Sequence, residues 1–208
     1  MARYIGPSCR QCRREQIKLF SKGAKCLMSK CPVDKGRPIP GAHGLRRRKL
    51  TDYGAQLREK QKLKRIYGLL ERQFRNYFEN AFSEKGNTGD HLLRMLETRL
   101  DNVVYRLGFT QALGAARQFV RHGHVLVRGR RIDYPGYQVV TGDVVEVRDR
   151  GTSRQRAAEC LEAARSREVP AWLKLTKNQF RGEVLRMPEP ADLTLPVDIS
   201  KVVTLYSK

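Results

Sequence analysis

From Asp52 onward, apolar residues fall at helical spacing: Leu57, Leu63 and Ile66 stand among Arg58, Lys60, Lys62, Lys64 and Arg65. The pattern predicts a helix with one side on a core. Its cations face phosphate or, in the plainer alternative, solvent. Phe74, Tyr77, Phe78, Ala81 and Phe82 follow at offsets of 0, 3, 4, 7 and 8, an aromatic helix stripe expected to lie in the core rather than to stack on bases. Gly86-Asn87-Thr88-Gly89 breaks the pattern, and Asp90 is read as the cap of a further helix carrying Leu92, Leu93, Leu96, Leu100, Val104 and Leu107.

After Gly108, Gln111–His122 reads as a short helix with Ala112, Ala116, Phe119 and Val120 inward, Arg117 and Arg121 outward, and Gly123 as its stop. The period then shortens to that of strands. His124-Val125-Leu126-Val127 and Arg130-Arg131-Ile132 flank Arg128-Gly129 as one hairpin; Gln138-Val139-Val140 and Val144-Val145-Glu146-Val147 flank Thr141-Gly142-Asp143 as another. Two helices and a small sheet make a compact module at about 97–150, in which Arg117, Arg121, His122, Arg128, Arg130 and Arg131 converge around the helix end and first hairpin. For His122, plain packing at the helix end is the competing reading. Trp172, Leu173, Leu175, Phe180, Val184 and Leu185 form apolar stretches too short for a separate domain, while Ile199, Val202, Val203 and Tyr206 suit a short terminal helix. No window approaches the apolar run of a signal peptide or membrane span, so a cytoplasmic location is expected.

Charge changes this picture most in the first quarter. The chain of 208 residues carries 42 Lys and Arg against 21 Asp and Glu, a formal charge of +21. Residues 1–50 alone hold 14 basic and 2 acidic residues, with frequent Gly and Pro. That segment is a poor candidate for an independent core. Lys35-Gly36-Arg37-Pro38-Ile39-Pro40-Gly41-Ala42-His43-Gly44 leads into Arg46-Arg47-Arg48-Lys49, a stretch that orders best on phosphates. A surface this basic repels itself unless a polyanion neutralises it, and nucleic acid is the expected one; neither an amphipathic membrane helix nor a lipid anchor is evident.

The same segment holds four of the five cysteines. Cys9 and Cys12 are followed, after 13 residues, by Cys26 and Cys31. Two close pairs around a spacer are zinc-ribbon-like, and four thiolates leave no open position on a tetrahedral ion, so the site is structural. Arg10, Arg13, Arg14, Lys22, Lys25 and Lys30 around it are expected to favour the thiolate form. Four unrelated thiols in an arm, or an iron–sulfur cluster, are the alternatives. Cys160 stands apart in a helical stretch as a plain thiol.

Leu96-Glu97-Thr98-Arg99-Leu100-Asp101-Asn102-Val103-Val104-Tyr105-Arg106-Leu107-Gly108-Phe109 and Ala116-Arg117-Gln118-Phe119-Val120-Arg121-His122-Gly123-His124-Val125 together resemble the RNA-binding module named after bacterial small-subunit ribosomal protein S-four. Arg3-Tyr4-Ile5-Gly6-Pro7, the four cysteines, Pro40-Gly41-Ala42-His43-Gly44, Arg58-Glu59-Lys60-Gln61-Lys62-Leu63 and Leu205-Tyr206-Ser207 are similar to the full-length, cysteine-containing form of that family, so the resemblance covers essentially the whole chain. Two positions depart from the family pattern. Ala112 stands where a Ser or Thr usually caps the second helix, a role Thr110 is expected to take over, and Arg128 replaces the usual Asn before Gly129 although it tolerates positive φ less well.

The resemblance implies an α+β fold: a basic zinc-binding arm at 1–45, a mostly helical domain made of 46–98 and 166–208, and an inserted RNA-binding module with its following helix at 99–165. Residues after about 165 would then return to pack with 45–98. It further implies a small-subunit protein that binds the five-way junction in the 5′ domain of rRNA early in assembly. That protein helps line the channel through which messenger RNA enters, beside neighbouring ribosomal proteins, and is not expected to homo-oligomerise. The residues assigned to RNA are Arg3, Arg10, Arg13, Arg14, Arg46, Arg47, Arg48, Lys49, Arg58, Lys60, Lys62, Lys64, Arg65, Arg117, Arg121, His122, Arg128, Arg130 and Arg131. Zinc falls to Cys9, Cys12, Cys26 and Cys31. An RNA-modifying enzyme carrying the module is disfavoured, because little chain is left for a catalytic domain and His43, His91, His122 and His124 form no recognisable pairing with an Asp, Ser or Cys nucleophile. A zinc-finger DNA regulator is disfavoured because no recognition helix follows Cys31.

Overall fold

The computed structural model describes residues 4–45, 49–164, 167–193 and 195–207. Among them the elements are α1 (Ser8–Glu15), α2 (Asp52–Ile66), α3 (Glu71–Ser83), α4 (Thr88–Glu97), α5 (Leu100–Arg106), α6 (Leu113–Arg121), β1 (Val125–Val127), β2 (Arg130–Arg131), β3 (Val144–Val147), α7 (Gly151–Ala163), β4 (Leu173–Thr176), β5 (Arg181–Val184) and α8 (Ile199–Tyr206). The fold is α+β. It divides into two compact units, one of Met1–Gly89 with Leu195–Lys208 and one of Asp90–Thr194.

In the first unit, Thr51 caps α2 by accepting from the Gly54 amide at 3.2 Å, and the helix buries Leu63 completely. Packed on it is α8, which Asp198 caps and which buries Val202. The Tyr206 ring stacks on Phe78 at 4.6 Å and lies 6.1 Å from Phe74, so the last turn of α8 is seated on α3. Gly89 is required where α4 begins: a Cβ there would stand 2.7 Å from Ile199 Cγ2. Phe74, Phe78 and Ala81 are buried as the stripe predicts, but Phe82 is 61% exposed, its ring stacked 6.0 Å from that of Phe78.

The second unit packs α5 and α6 against an antiparallel sheet of order β2-β1-β3-β5-β4. Val125, Val127, Val145 and Val147 alternate inward to meet Val103, Leu107, Phe119 and Val120. At the β1–β2 turn, Arg128 and Gly129 have φ of 50° and 75°. Consecutive left-handed residues match the twist of a two-residue hairpin, and Arg128 takes this conformation at a cost Asn would reduce. Gly182 lets β5 approach α5, since a Cβ there would lie 2.5 Å from Leu107 Cδ2.

Several expectations change. The long helix after Gly89 is broken at Arg99, whose ψ of 135° separates α4 from α5; the freed Leu100 and Asp101 amides bond the carbonyls of Tyr137 and Pro135. Asp90 is inside α4, and it is Asn87 that accepts from the Gly89 amide, at 2.9 Å. Gln138 to Val140 is no strand. Gln138 makes a single bridge to Arg99, the Val139 amide bonds Thr98, and the Val140 amide bonds the Asp143 carboxylate. Ala112, which has no side-chain acceptor, occupies the cap position of α6 without a side-chain cap, and the Thr110 hydroxyl donates to the Ala112 carbonyl. The resemblance implies that residues after about 165 return to 45–98: α8 does, packing on α2 and α3, whereas β4 and β5 extend the module's sheet through Val145↔Gly182 and Lys174↔Glu183, and Trp172 is fully buried in the module's core.

Glu71 ties the helices of the first unit together, accepting from Lys60 at 2.6 Å, Lys64 at 2.8 Å and the Tyr206 hydroxyl at 2.8 Å. Burial pushes its carboxyl up, but the three donors outweigh burial and hold it at about 2. A carboxylate depressed on folding stabilises above its unfolded value of 4.5, and that stability is lost as pH falls toward 2. Glu71→Gln is therefore expected to lower the melting temperature at pH 7, by an amount equivalent to roughly 0.5–1 kcal/mol because the group is half exposed. The gap to wild type should close in thermal melts near pH 2; a gap independent of pH contradicts the assignment.

Candidate nucleic-acid interface

The sequence counts cations, and the structure shows which of them the chain neutralises itself. On α2 every cation singled out has a carboxylate. Arg58 and Arg65 both bind Glu15, which α1 buries at 7% exposure. Burial pushes the Glu15 carboxyl up, and Arg65 and Arg58 counter it. Lys62 binds Glu59 at 2.6 Å, while Lys60 and Lys64 bind Glu71. Lys60 is 8% exposed, with its ammonium 5.4 Å from the Tyr206 ring centroid. It is an internal strut of the unit, and its placement contradicts an outward, phosphate-facing Lys60.

The arm is different. Arg10, Arg14 and Lys49 are exposed and form no ion pair among the described residues, whereas Arg13 donates to the Pro38 carbonyl at 2.9 Å. An open cavity of about 1290 Å³ is lined by Arg13, Arg14, Lys49, Arg58 and Lys62 together with Glu15 and Glu59. Arg3, Arg46, Arg47 and Arg48 lie outside the described residues.

The four cysteines are free thiols. Cys9 and Cys12 are on α1, and Cys26 ends a short 3-10 turn at Gly23–Cys26; no strand occurs among the described residues of the arm, so ribbon-like spacing is carried here by helix and turn. Cys12 and Cys31 are buried. Burial raises the Cys12 thiol, and Cys26, Cys9 and Cys31 raise it further, so the four lie within electrostatic reach of one another. Among the described residues no three Cys, His, Asp or Glu side chains converge closely enough to hold an ion as they stand.

In the second unit the outward Arg117 is a correction. It is 7% exposed and reaches Asp101 Oδ2 at 3.4 Å, beside the fully buried Arg99, which binds Asp101 through Nε at 3.0 Å and Nη2 at 2.7 Å. Arg117 points inward because a buried carboxylate shared with Arg99 needs a second cation; burial pushes the Asp101 carboxyl up, and Arg99 and Arg117 pull it back. Glu97, also fully buried, takes Arg106 at 2.7 Å and the Asn102 amide at 2.6 Å. Arg128 is bound to the buried Asp143, and so bridges the hairpin tip to the turn before β3. Arg121, His122, Arg130 and Arg131 remain exposed without an ion pair among the described residues. His122 stands at the end of α6 with its ring exposed, not packed. Four of the six residues expected to converge thus remain available at the surface. The sequence missed the acceptors Glu15, Asp101 and Asp143, which have no spacing signature, and also Arg150 and Arg156, exposed cations near the start of α7.

Residues 3–97 match the family model described as ribosomal protein S4/S9 N-terminal domain, and residues 98–145 match the S4 domain. The chain is 51% identical over 208 residues to the small ribosomal subunit protein uS4 of Geotalea daltonii and 51% identical over 208 residues to that of Dictyoglomus thermophilum. It is 52% identical over 209 residues to the uS4 of Natranaerobius thermophilus, and each alignment covers 100% of both chains.

The two classes of arginine should separate in mutants. Arg117→Ala is expected to lower stability by about 1.5–3 kcal/mol, the range for hydrogen bonds to charged groups, while leaving the salt slope of RNA binding unchanged. Arg121→Gln with Arg130→Gln should do the reverse, keeping the melting temperature and flattening the slope by roughly one for each phosphate no longer engaged. Chemical denaturation and salt-titrated RNA binding read the two effects.

Proposed function

The chain belongs to the uS4 family of small ribosomal subunit proteins, structural rather than enzymatic, and we propose that it is a primary rRNA-binding protein that nucleates assembly of the 5′ domain of small-subunit rRNA. In the assembled subunit it helps form the channel through which messenger RNA enters, next to neighbouring ribosomal proteins, and so supports accurate translation. Its place is the cytoplasm, within that subunit; no helix among the described residues is long and apolar enough to cross a membrane.

The observation that carries this reading is the division of the cations. Internal carboxylates neutralise the basic residues of α2, together with Arg117 and Arg128, and Asp34 takes Lys18 of the arm, while Arg10, Arg14 and Lys49 and, at the α6–hairpin end, Arg121, Arg130 and Arg131 are left without counter-ions among the described residues. Exposed, unpaired guanidinium groups suit phosphate oxygens, and the module presents few exposed aromatics for stacking on single strands, so the chemistry favours the backbone and shape of a folded RNA. Footprinting on naked small-subunit rRNA should protect the five-way junction of the 5′ domain. If about 6–10 phosphates are engaged, affinity should fall roughly 10³- to 10⁵-fold between 50 and 200 mM salt. A footprint elsewhere, or a salt-insensitive complex, contradicts the proposal.

Cys9, Cys12, Cys26 and Cys31 are proposed to hold one structural zinc ion. Their support is the paired spacing, the burial of Cys12 and Cys31, and the mutual reach of the four thiols. Because the thiols do not form a closed cage as they stand, metal binding and ordering of the arm are expected to be one event. Metal analysis should find about one zinc per chain. Cys160→Ser should leave it in place, and Cys9→Ser or Cys26→Ser should release it and expose the arm to proteolysis; a chain without zinc ends the proposal.

A further inference from the structure

The end of α6, the first hairpin and the start of α7 meet around His124. The His124 ring stacks on Phe119 of α6 at 4.8 Å, and its Nδ1 is 2.9 Å from the Ser153 hydroxyl in the first turn of α7. The Arg148 amide, just after β3, donates to the His124 carbonyl at 2.8 Å. The His122 ring lies 6.0 Å from that of His124. Across the hairpin, the Arg131 guanidinium lies over Gly123, whose φ is 72°: a Cβ at Gly123 would be 2.5 Å from Arg131 Cζ. This glycine both ends α6 and leaves the space in which the guanidinium is seated. Arg150 precedes α7 and Arg156 stands on its second turn.

The electrostatics place these groups in one neighbourhood. Burial, then His122, Arg156, Arg150 and Arg131, push the His124 pKa below its ordinary value. Asp149, beside Arg150 in the chain, is engaged by Arg154 at 3.0 Å, and the first turn of α7 contains no acidic residue. Arg131, Arg150 and Arg156 are exposed and form no ion pair among the described residues. Three guanidinium groups, on β2, just before α7 and on α7, repel one another without a counter-ion among the described residues; an anion between them removes that repulsion.

We propose that Arg131, Arg150 and Arg156, gathered around the His122–His124 pair, form one site for an RNA backbone phosphate that carries the RNA contact surface past the S4-domain match at residues 98–145 and onto α7. The site rests on the rRNA-binding reading above and extends it to residues outside the recognised module. Arginine is suited to the role, since its planar fork bridges two phosphate oxygens. The packed His124, fixed by Phe119 and Ser153, holds α7 at the distance the site requires.

The test measures binding of naked small-subunit rRNA by the full chain, for wild type, Arg131→Gln, the pair Arg150→Gln with Arg156→Gln, and the triple variant. The pair should bind roughly tenfold more weakly than wild type and lower the salt slope by about one. Because the three arginines share one phosphate, the triple variant should lose less than the product of the two separate losses. Melting temperatures should be unchanged, since exposed unpaired groups are removed; Arg150→Lys with Arg156→Lys, which keeps the charge, should recover the salt slope. Wild-type affinity in the Gln pair overturns the site, as do losses that multiply. Failure of wild type itself to bind the rRNA would instead overturn the reading on which the site rests.

Discussion

With twice as many basic as acidic side chains, this protein can fold only by rationing its carboxylates. Each one taken out of solvent serves more than one donor: Glu15 holds Arg58 and Arg65, Asp101 holds Arg99 and Arg117, and Glu97 holds Arg106 and Asn102. A buried carboxylate with a single partner would be poorly compensated for desolvation, and two or three donors make its burial tolerable. The arrangement also fixes geometry, because a carboxylate shared by two helices or by a helix and a turn sets their separation. The cations left over, on the arm and at the α6–hairpin end, are surplus to folding and free to meet another polyanion.

The periodic parts of the fold were legible in the sequence. Helices α2, α3, α6 and α8 and strands β1 and β3 follow from apolar spacing, since burial of one face is what that spacing records. What the pattern hid depends on contacts remote in sequence. Nothing local announces that Arg99 leaves the helix to let two amides bond Tyr137 and Pro135, or that the Val140 amide turns to Asp143 in place of a ladder. The strands around Leu173 and Val184 were visible only as short apolar runs, and their pairing with β3 is a long-range event.

The candidate surface was legible as a region rather than as a set of residues. Arg117 and Arg121 are equivalent on a helix diagram drawn from sequence, yet the first is buried on Asp101 and the second is exposed. An acceptor 16 residues away decides which is which. The same holds for α2, whose basic face looks like an RNA-binding face until Glu15, Glu59 and Glu71 are placed on it. In a chain this basic, the informative residues for function are the acidic ones, because they mark which positive charges are already spoken for.

The discontinuity of the first unit bears on how the protein is made. Helix α8 packs on α2, and Tyr206 is seated on Phe74 and Phe78, yet more than 100 residues of the other unit lie between α3 and α8 in the chain. During synthesis from the amino terminus the second unit therefore emerges whole, and its sheet can close before the first unit has its last helix. Until then the aromatic face of α3 is open to solvent, and the growing chain exposes basic and aromatic surface together. Completion of the first unit thus waits on translation of the whole of the second, so that a truncated product lacking only α8 leaves that face uncovered.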